Sequence, residues 1–354
     1  MCCPSAYLFC MTAIDAKTST AQSFRARSPW IGGDLQTLRN FLTGKPADLS
    51  AWPGRPLTLG MKDGSGDALA AKLHGEPGPD RPLLVLIHGL TGCEDSKHVR
   101  TAAAHALSQG YAVLRLNLRG AAPGRKLARA HYHAGRSGDL ADALRALSEQ
   151  VPSAFEGGLF LTGYSLGGNL LLKFLAEEGQ DLPVTAAASV SAPVDLKAAQ
   201  ERIMAPRNRL YHNYLLRRMK AEALATPGGL EEPYASRVPG LTTLFDYDDA
   251  IVGPRNGFAG ADDYYRRCSA KAFLPAIDQP VLVVHAEDDP WIPADSYRLP
   301  VWEEKPNLRL LMPSGGGHVG FHAADHPVPW HERRILEFFE SVQPRSSRAA
   351  STAA

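Results

Sequence analysis

The stretch Gly158-Leu159-Phe160-Leu161-Thr162-Gly163-Tyr164-Ser165-Leu166-Gly167-Gly168-Asn169 decides the fold of this chain. Its first half is a short apolar run opened by a glycine, the pattern of a strand buried on both faces of a parallel sheet. Its second half runs into Leu170, Leu171, Phe174 and Leu175, which recur at helical spacing until Gly179 stops them. Between the two stands Gly-x-Ser-x-Gly. A serine hydroxyl is a poor nucleophile at its free pKa, so it needs exposure on a sharp turn beside a base and amide donors. Glycines on either side let such a strained strand-to-helix turn form without a Cβ clash. With 32 glycines in 354 residues, the bare motif arises roughly 0.2 times by chance, so the flanking strand and helix carry the assignment. Gly135-Arg136-Ser137-Gly138 lacks the second spaced glycine and a preceding apolar strand, and is not a nucleophile turn.

Outward from this turn the chain alternates strands and helices. Strands are expected over 83–87, 112–118, 158–162, 184–190, 280–285 and 308–312, and helices over 97–108, 139–150 and 330–342. A hairpin of 56–62 with 68–74 about Asp63-Gly64-Ser65-Gly66-Asp67 opens the sheet. This order predicts an α/β fold, a mostly parallel sheet with helices on both faces. From 192 to 276 the alternation lapses for roughly 84 positions, against about 2 to 6 for an ordinary connection. An inserted helical lid is expected at about 193–275. Leu210, Tyr214, Leu215 and Met219 are expected to line one helix face there, with aromatic surface from Phe245, Phe258, Tyr264 and Tyr265. The expected organisation is thus a disordered extension over 1–21, one α/β domain with its lid over 22–343, and a disordered tail over 344–354.

Composition narrows the function. Lys plus Arg number 38 and Asp plus Glu 37, a balance that argues against nucleic acid as the main partner and leaves a small-molecule or lipid substrate. The five cysteines, Cys2, Cys3, Cys10, Cys93 and Cys268, have neither metal-ligand spacing nor disulfide-framework density, which favours a reducing cytoplasm. Residues 1–11 lack a basic region and a cleavage site, so they read as a tail, or as a leader to an internal start at Met11, rather than a signal peptide. No run reaches the roughly 20 apolar residues that span a bilayer. Oligomeric state is not legible.

The serine needs a base and a group to orient it. The strand ending at His285-Ala286 delivers Glu287-Asp288-Asp289-Pro290, which places acids at a carboxyl strand end, where α/β sheets build their sites. After the next strand, Ser314-Gly315-Gly316-Gly317-His318-Val319-Gly320 carries a histidine in a glycine-rich loop. Ser165, Asp289, His318 is the chain order of an α/β-hydrolase triad. Asp289 is preferred to Asp288, because Pro290 fixes it facing the histidine. Backbone amides of Leu90, in the turn His88-Gly89-Leu90-Thr91-Gly92, and of Leu166 are the expected oxyanion donors, with Gly89 turning the chain. His88 is expected to tie loops together beneath that hole. His131, His133, His322, His326 and His331 lack the company that zinc ligation requires, so neither a metal nor an organic cofactor is expected.

With these four motifs, the chain resembles the YheT-like branch of the α/β-hydrolases over about 30–342. Trp30, Gln36-Thr37-Leu38, Tyr264-Tyr265 and Ser269 extend the similarity. The resemblance implies a Ser-Asp-His carboxylic ester hydrolase of the esterase or lipase type, acting on short-chain or acylglycerol-like esters through an acyl-enzyme, with the triad at Ser165, Asp289 and His318. It has no counterpart for the stretch before Gln22. Two alternatives stand beside it. One is an acyltransferase using the same triad, and the other is a lipid- or ligand-binding homologue without turnover, against which the intact Ser, Asp and His positions argue.

Overall fold

The computed structural model describes residues 23–43, 45–225 and 230–343. The expected extension over 1–21 and the tail over 344–354 lie outside the described residues. Eight strands form one sheet: β1 Gly54–Gly60, β2 Ala68–His74, β3 Leu83–Ile87, β4 Ala112–Leu116, β5 Leu159–Tyr164, β6 Val184–Val190, β7 Val281–Val284 and β8 Leu308–Leu311. Their spatial order is β1-β2-β4-β3-β5-β6-β7-β8. The β1–β2 and β2–β4 pairs are antiparallel and every other pair is parallel. Each expected strand is present, within one to two residues at most ends.

The apolar strands are apolar throughout because both faces of the sheet are covered. In β3, Leu83, Val85 and Ile87 enter one core and Leu84 and Leu86 the other, as the two-residue period of a strand requires. Each such buried side chain contributes about 1.5–3 kcal/mol. The first core is closed by α3 (Ser137–Gln150) and α4 (Leu166–Glu177), the second by α2 (Lys97–Ser108) and a C-terminal helix, Trp330–Val342. Small side chains Ala102, Ala103 and Ala106 on α2 let it sit close to the sheet.

The chain passes from β3 outward to β4 and then returns to the other side of β3 for β5. That reversal opens a crevice at the carboxyl ends of β3 and β5, where open α/β sheets bind ligands. The turn that carries Ser165 leaves β5 at this point.

A helix outside those expected precedes the sheet, α1 (Gly33–Leu42). Between β6 and β7 lie α5 (Leu196–Met204), α6 (Arg209–Leu224), several one-turn helices and α7 (Ala261–Cys268); the closing helix Trp330–Val342 is α8. The insertion packs onto the first core through residues such as Leu215, Met219, Ile251, Tyr264 and Tyr265. One expected member of its inner face is misplaced. Leu210 is 85% exposed, because at about 100° per residue it stands opposite Met219 rather than beside it. Tyr264 and Tyr265 face the cavity below, whereas Phe258 packs outside it, against His133 and Tyr264.

Candidate active site

Ser165 sits between β5 and α4 with φ 52° and ψ −124°, a conformation that L-residues rarely adopt. Its N–H donates to the Val190 carbonyl at 2.8 Å, which carries the sheet ladder into the turn. The flanking glycines are sterically required. A Cβ on Gly163 would lie 2.4 Å from the Gly167 carbonyl oxygen, and one on Gly167 would lie 2.3 Å from that of His88. Gly89 serves differently from the expectation. The left-handed residue of its turn is Thr91, at φ 55°, and Gly89 is small because a Cβ there would meet the Ser165 Cβ at 2.9 Å.

His318 brings Nε2 to 2.9 Å from Ser165 Oγ, and its Nδ1 lies 2.9 Å from Asp289 Oδ2. Asp289 is fully enclosed. Its Oδ1 accepts the N–H groups of Trp291 at 2.8 Å and Ile292 at 3.0 Å, because Pro290 turns the chain back over the carboxylate. Burial alone would raise this carboxyl, but the charge and hydrogen bond of His318 outweigh it and hold the group below its ordinary value. Asp288 goes the other way. Burial raises it, and its Oδ1 accepts the Gly317 N–H at 2.8 Å instead of facing the imidazole. Two adjacent acids are thus driven apart in pKa, as happens when neighbours take different roles. The Trp291 ring stacks on the imidazole with centroids 4.3 Å apart.

Leu90 and Leu166 both line the cavity at Ser165, and among the described residues neither N–H donates to a protein acceptor. The Leu166 N–H opens α4, where the first turn of a helix leaves donors free. His88 lies behind them. Its Nε2 accepts the Leu118 N–H at 3.0 Å and its Nδ1–H donates to the Gly89 carbonyl at 2.8 Å. Burial pushes His88 down to about 4, so it stays neutral and acts as the expected loop tie.

Several supporting groups escaped the sequence reading. Thr37 of α1 accepts the backbone N–H of His318 at 2.8 Å and donates to the Gly33 carbonyl. Gln36 accepts the His322 N–H at 2.7 Å. The approach is so close that a Cβ on Gly317 would lie 2.3 Å from the Gly33 oxygen. Gln36-Thr37-Leu38 was visible only as part of a resemblance. Tyr132 had no local signal at all: its hydroxyl accepts the Thr91 N–H at 2.7 Å and donates to Glu222 of α6 at 3.1 Å. Asn169, the last residue of the serine motif, ties the insertion to α4 by donating to the Cys268 carbonyl at 2.8 Å and accepting the Ala270 N–H at 2.9 Å.

Two cavities meet at Ser165. One lies beneath the insertion and is mainly apolar, walled by Leu196, Ile203, Leu215, Met219 and Ile251. The other opens beside α1, between Asn40, Phe41, Ser96, Lys97 and Arg218. Among the described residues no group of His, Cys, Asp and Glu is arranged to hold a metal ion, and no helix is long and apolar enough to cross a membrane.

Comparison with known proteins agrees with this architecture. Residues 78–299 match the family described as Serine aminopeptidase, S33. YheT of Escherichia coli (strain K12), which bears the name of an esterase, is 35% identical over 79% of this chain and 83% of its own. Monoacylglycerol lipase of Saccharomyces cerevisiae is 27% identical over 73% of this chain and 59% of its own. Among solved structures, the Pyrococcus furiosus esterase Pf2001 superposes with a TM-score of 0.60 at 15% identity, over 85% of this chain and 97% of that one, a likeness of fold.

Proposed function

This chain belongs to the YheT-like α/β-hydrolases and is a carboxylic ester hydrolase, and on that premise we propose that Ser165, His318 and Asp289 form its catalytic triad. The observation that carries the proposal is the unbroken relay of two 2.9 Å contacts from Ser165 Oγ through the imidazole to Asp289. His318 Nε2 takes the hydroxyl proton as Ser165 attacks the ester carbonyl carbon. The oxyanion accepts from the Leu90 and Leu166 amides, each supplying about 2.7–4 kcal/mol. The tetrahedral intermediate collapses to an acyl-enzyme as His318 returns the proton to the departing alkoxide. Water, deprotonated by the same nitrogen, then releases the acid. Asp289 keeps Nδ1 protonated and stabilises the imidazolium.

Both cavities that meet at Ser165 have mainly apolar walls, so the acyl chain and the leaving alcohol of an ester can each be received on one side of the serine. That lining favours a small-molecule or lipid ester, short-chain or acylglycerol-like, over a nucleic acid, and a monoacylglycerol lipase stands among the relatives. Cys93 and Cys268 are both free thiols, in keeping with a cytoplasmic setting.

The test is a chain-length series of p-nitrophenyl esters together with labelling by a fluorophosphonate. Turnover with stoichiometric label on Ser165 is the expected result. An unlabelled Ser165 in folded protein overturns the proposal in favour of a binding homologue, and product formed only when an alcohol or amine acceptor is added converts it to acyl transfer.

Thr37 acts as a positioning residue, because it satisfies the buried N–H of His318 itself. Thr37→Val leaves that donor without a partner, a cost of about 1–3 kcal/mol. We expect kcat to fall about tenfold with KM little changed, since His318 moves while the cavities do not, and Thr37→Ser to restore it. An equal loss in both variants would assign Thr37 a purely structural part.

A further inference from the structure

The helix that holds the histidine loop is turned inside out. Gln36, Thr37 and Asn40 put their polar groups inward, against His318, Val319 and His322. Leu35 and Leu42 point the other way, 41% and 67% exposed, with Ile31 just ahead of them at 64%. Leu35, Leu38 and Leu42 stand three and four residues apart and therefore share one face. A helix facing only water carries such a stripe inward.

α6 continues this surface. Asp34 of α1 accepts from Arg207 at 2.7 Å and from the Tyr211 hydroxyl at 3.1 Å, and the Phe41 and Tyr214 rings meet at 5.7 Å. The outer face of α6 carries Leu210, Arg217 and Leu224 at seven-residue steps. Of the seven large apolar side chains exposed among the described residues, all but Leu127 lie on or beside these two helices.

The patch is continuous with the active site. Phe41 at its edge lines the cavity that reaches Ser165 and His318. The charges nearby are mixed, but the acids are taken up: Asp95, which lines the same cavity as Phe41, pairs with Arg100 and Arg115. Lys45, Arg209 and Arg217 are exposed and have no carboxylate partner among the described residues, whereas the acid at the helix junction, Asp34, is taken up by Arg207.

We infer that the α1–α6 face docks the enzyme on a lipid surface bearing anionic headgroups. Its leucines enter the acyl boundary, its basic side chains meet headgroup phosphates, and the cavity mouth opens to the phase that holds the ester. The inference rests on the ester-hydrolase proposal only for what enters that mouth.

Full-length Ser165→Ala, which cannot consume a lipid, is sedimented with vesicles of phosphatidylcholine containing phosphatidylglycerol. It should co-sediment, less so with phosphatidylcholine alone or at high salt, and adding Leu35→Glu and Leu42→Glu should weaken binding about a hundredfold. With Ser165 restored, the same double variant should hydrolyse dissolved p-nitrophenyl acetate at the wild-type rate, which shows that it is folded, and lose activity on an ester carried in the vesicles. Equal sedimentation of both proteins, or of neither, overturns the inference. So does a dimer in dilute solution that the double variant dissociates, which would give this face to a second copy of the chain. Were the triad wrongly assigned, turnover would fail to depend on Ser165 while vesicle binding still depended on Leu35 and Leu42.

Discussion

Ser165→Ala should lower kcat by about 10⁶-fold, if the three residues act as a unit in the way a serine triad does. What remains comes from the oxyanion donors and substrate binding, which do not need the hydroxyl. The variant should fold as the parent does. The strain at φ 52° belongs to any residue with a Cβ, so removing Oγ leaves it unchanged. The ladder bond to Val190 is made by the backbone and also survives. Steady-state turnover of a p-nitrophenyl ester, beside a thermal melt within a degree or two of the parent, checks both halves. Activity within about a hundredfold of the parent would place the nucleophile elsewhere.

The second large effect separates two neighbouring acids. Asp289→Asn should cost about 10⁴-fold in kcat, and the surrounding hydrogen bonds explain why an isosteric change is so damaging. Oδ1 of residue 289 is committed to accepting two N–H groups, from Trp291 and Ile292. An asparagine must keep its oxygen there and turn its NH₂ toward His318. Nδ1 then has to accept, the ring proton moves to Nε2, and Nε2 can no longer take the proton of Ser165. Asp288→Asn should stay within about tenfold, because an amide oxygen can still accept the Gly317 N–H. Equal losses in the two variants would remove the distinction.

The same carboxylate carries a pH signature. Its pKa is lowered in the folded state, so its contribution to stability is present above the ordinary carboxylate range and is lost as pH falls through the folded value. Acid unfolding of the parent should therefore contain a component that Asp289→Asn lacks.

Much of this was legible in advance. β3, β5, β6 and β7 are apolar at nearly every position, because strands covered on both faces have no solvent side to mark with polar residues, and their spacing along the chain leaves little besides a parallel sheet. The turn at Ser165 was equally plain, since Gly163 answers to a clash with Gly167 four residues on, although Gly167 answers to His88. Asp289, rather than Asp288, does face His318, the orientation expected from Pro290 beside it. Leu210 was misassigned where several apolar residues lay close enough in sequence for more than one helical face to be drawn through them.

α1 was not placed although Leu35, Leu38 and Leu42 stand at helical spacing, and nothing in that spacing says that the stripe faces outward while Gln36, Thr37 and the half-buried Asn40 turn their polar groups inward. Such a face becomes recognisable only when its partners are present. They are His318, Val319 and His322, nearly three hundred residues away in the chain. Tyr132 is likewise an ordinary aromatic until Thr91 and Glu222 are brought to its hydroxyl.

The sequence by itself therefore determined the sheet and the strained turn at Ser165, both of which follow from short-range sterics and from the period of apolar burial. Tertiary structure alone decided which groups hold the histidine loop, how the insertion closes over Ser165, and why a row of leucines faces outward beside it. Those depend on where distant segments meet, and a hydrogen-bond donor or an apolar face acquires its meaning only from what is packed against it.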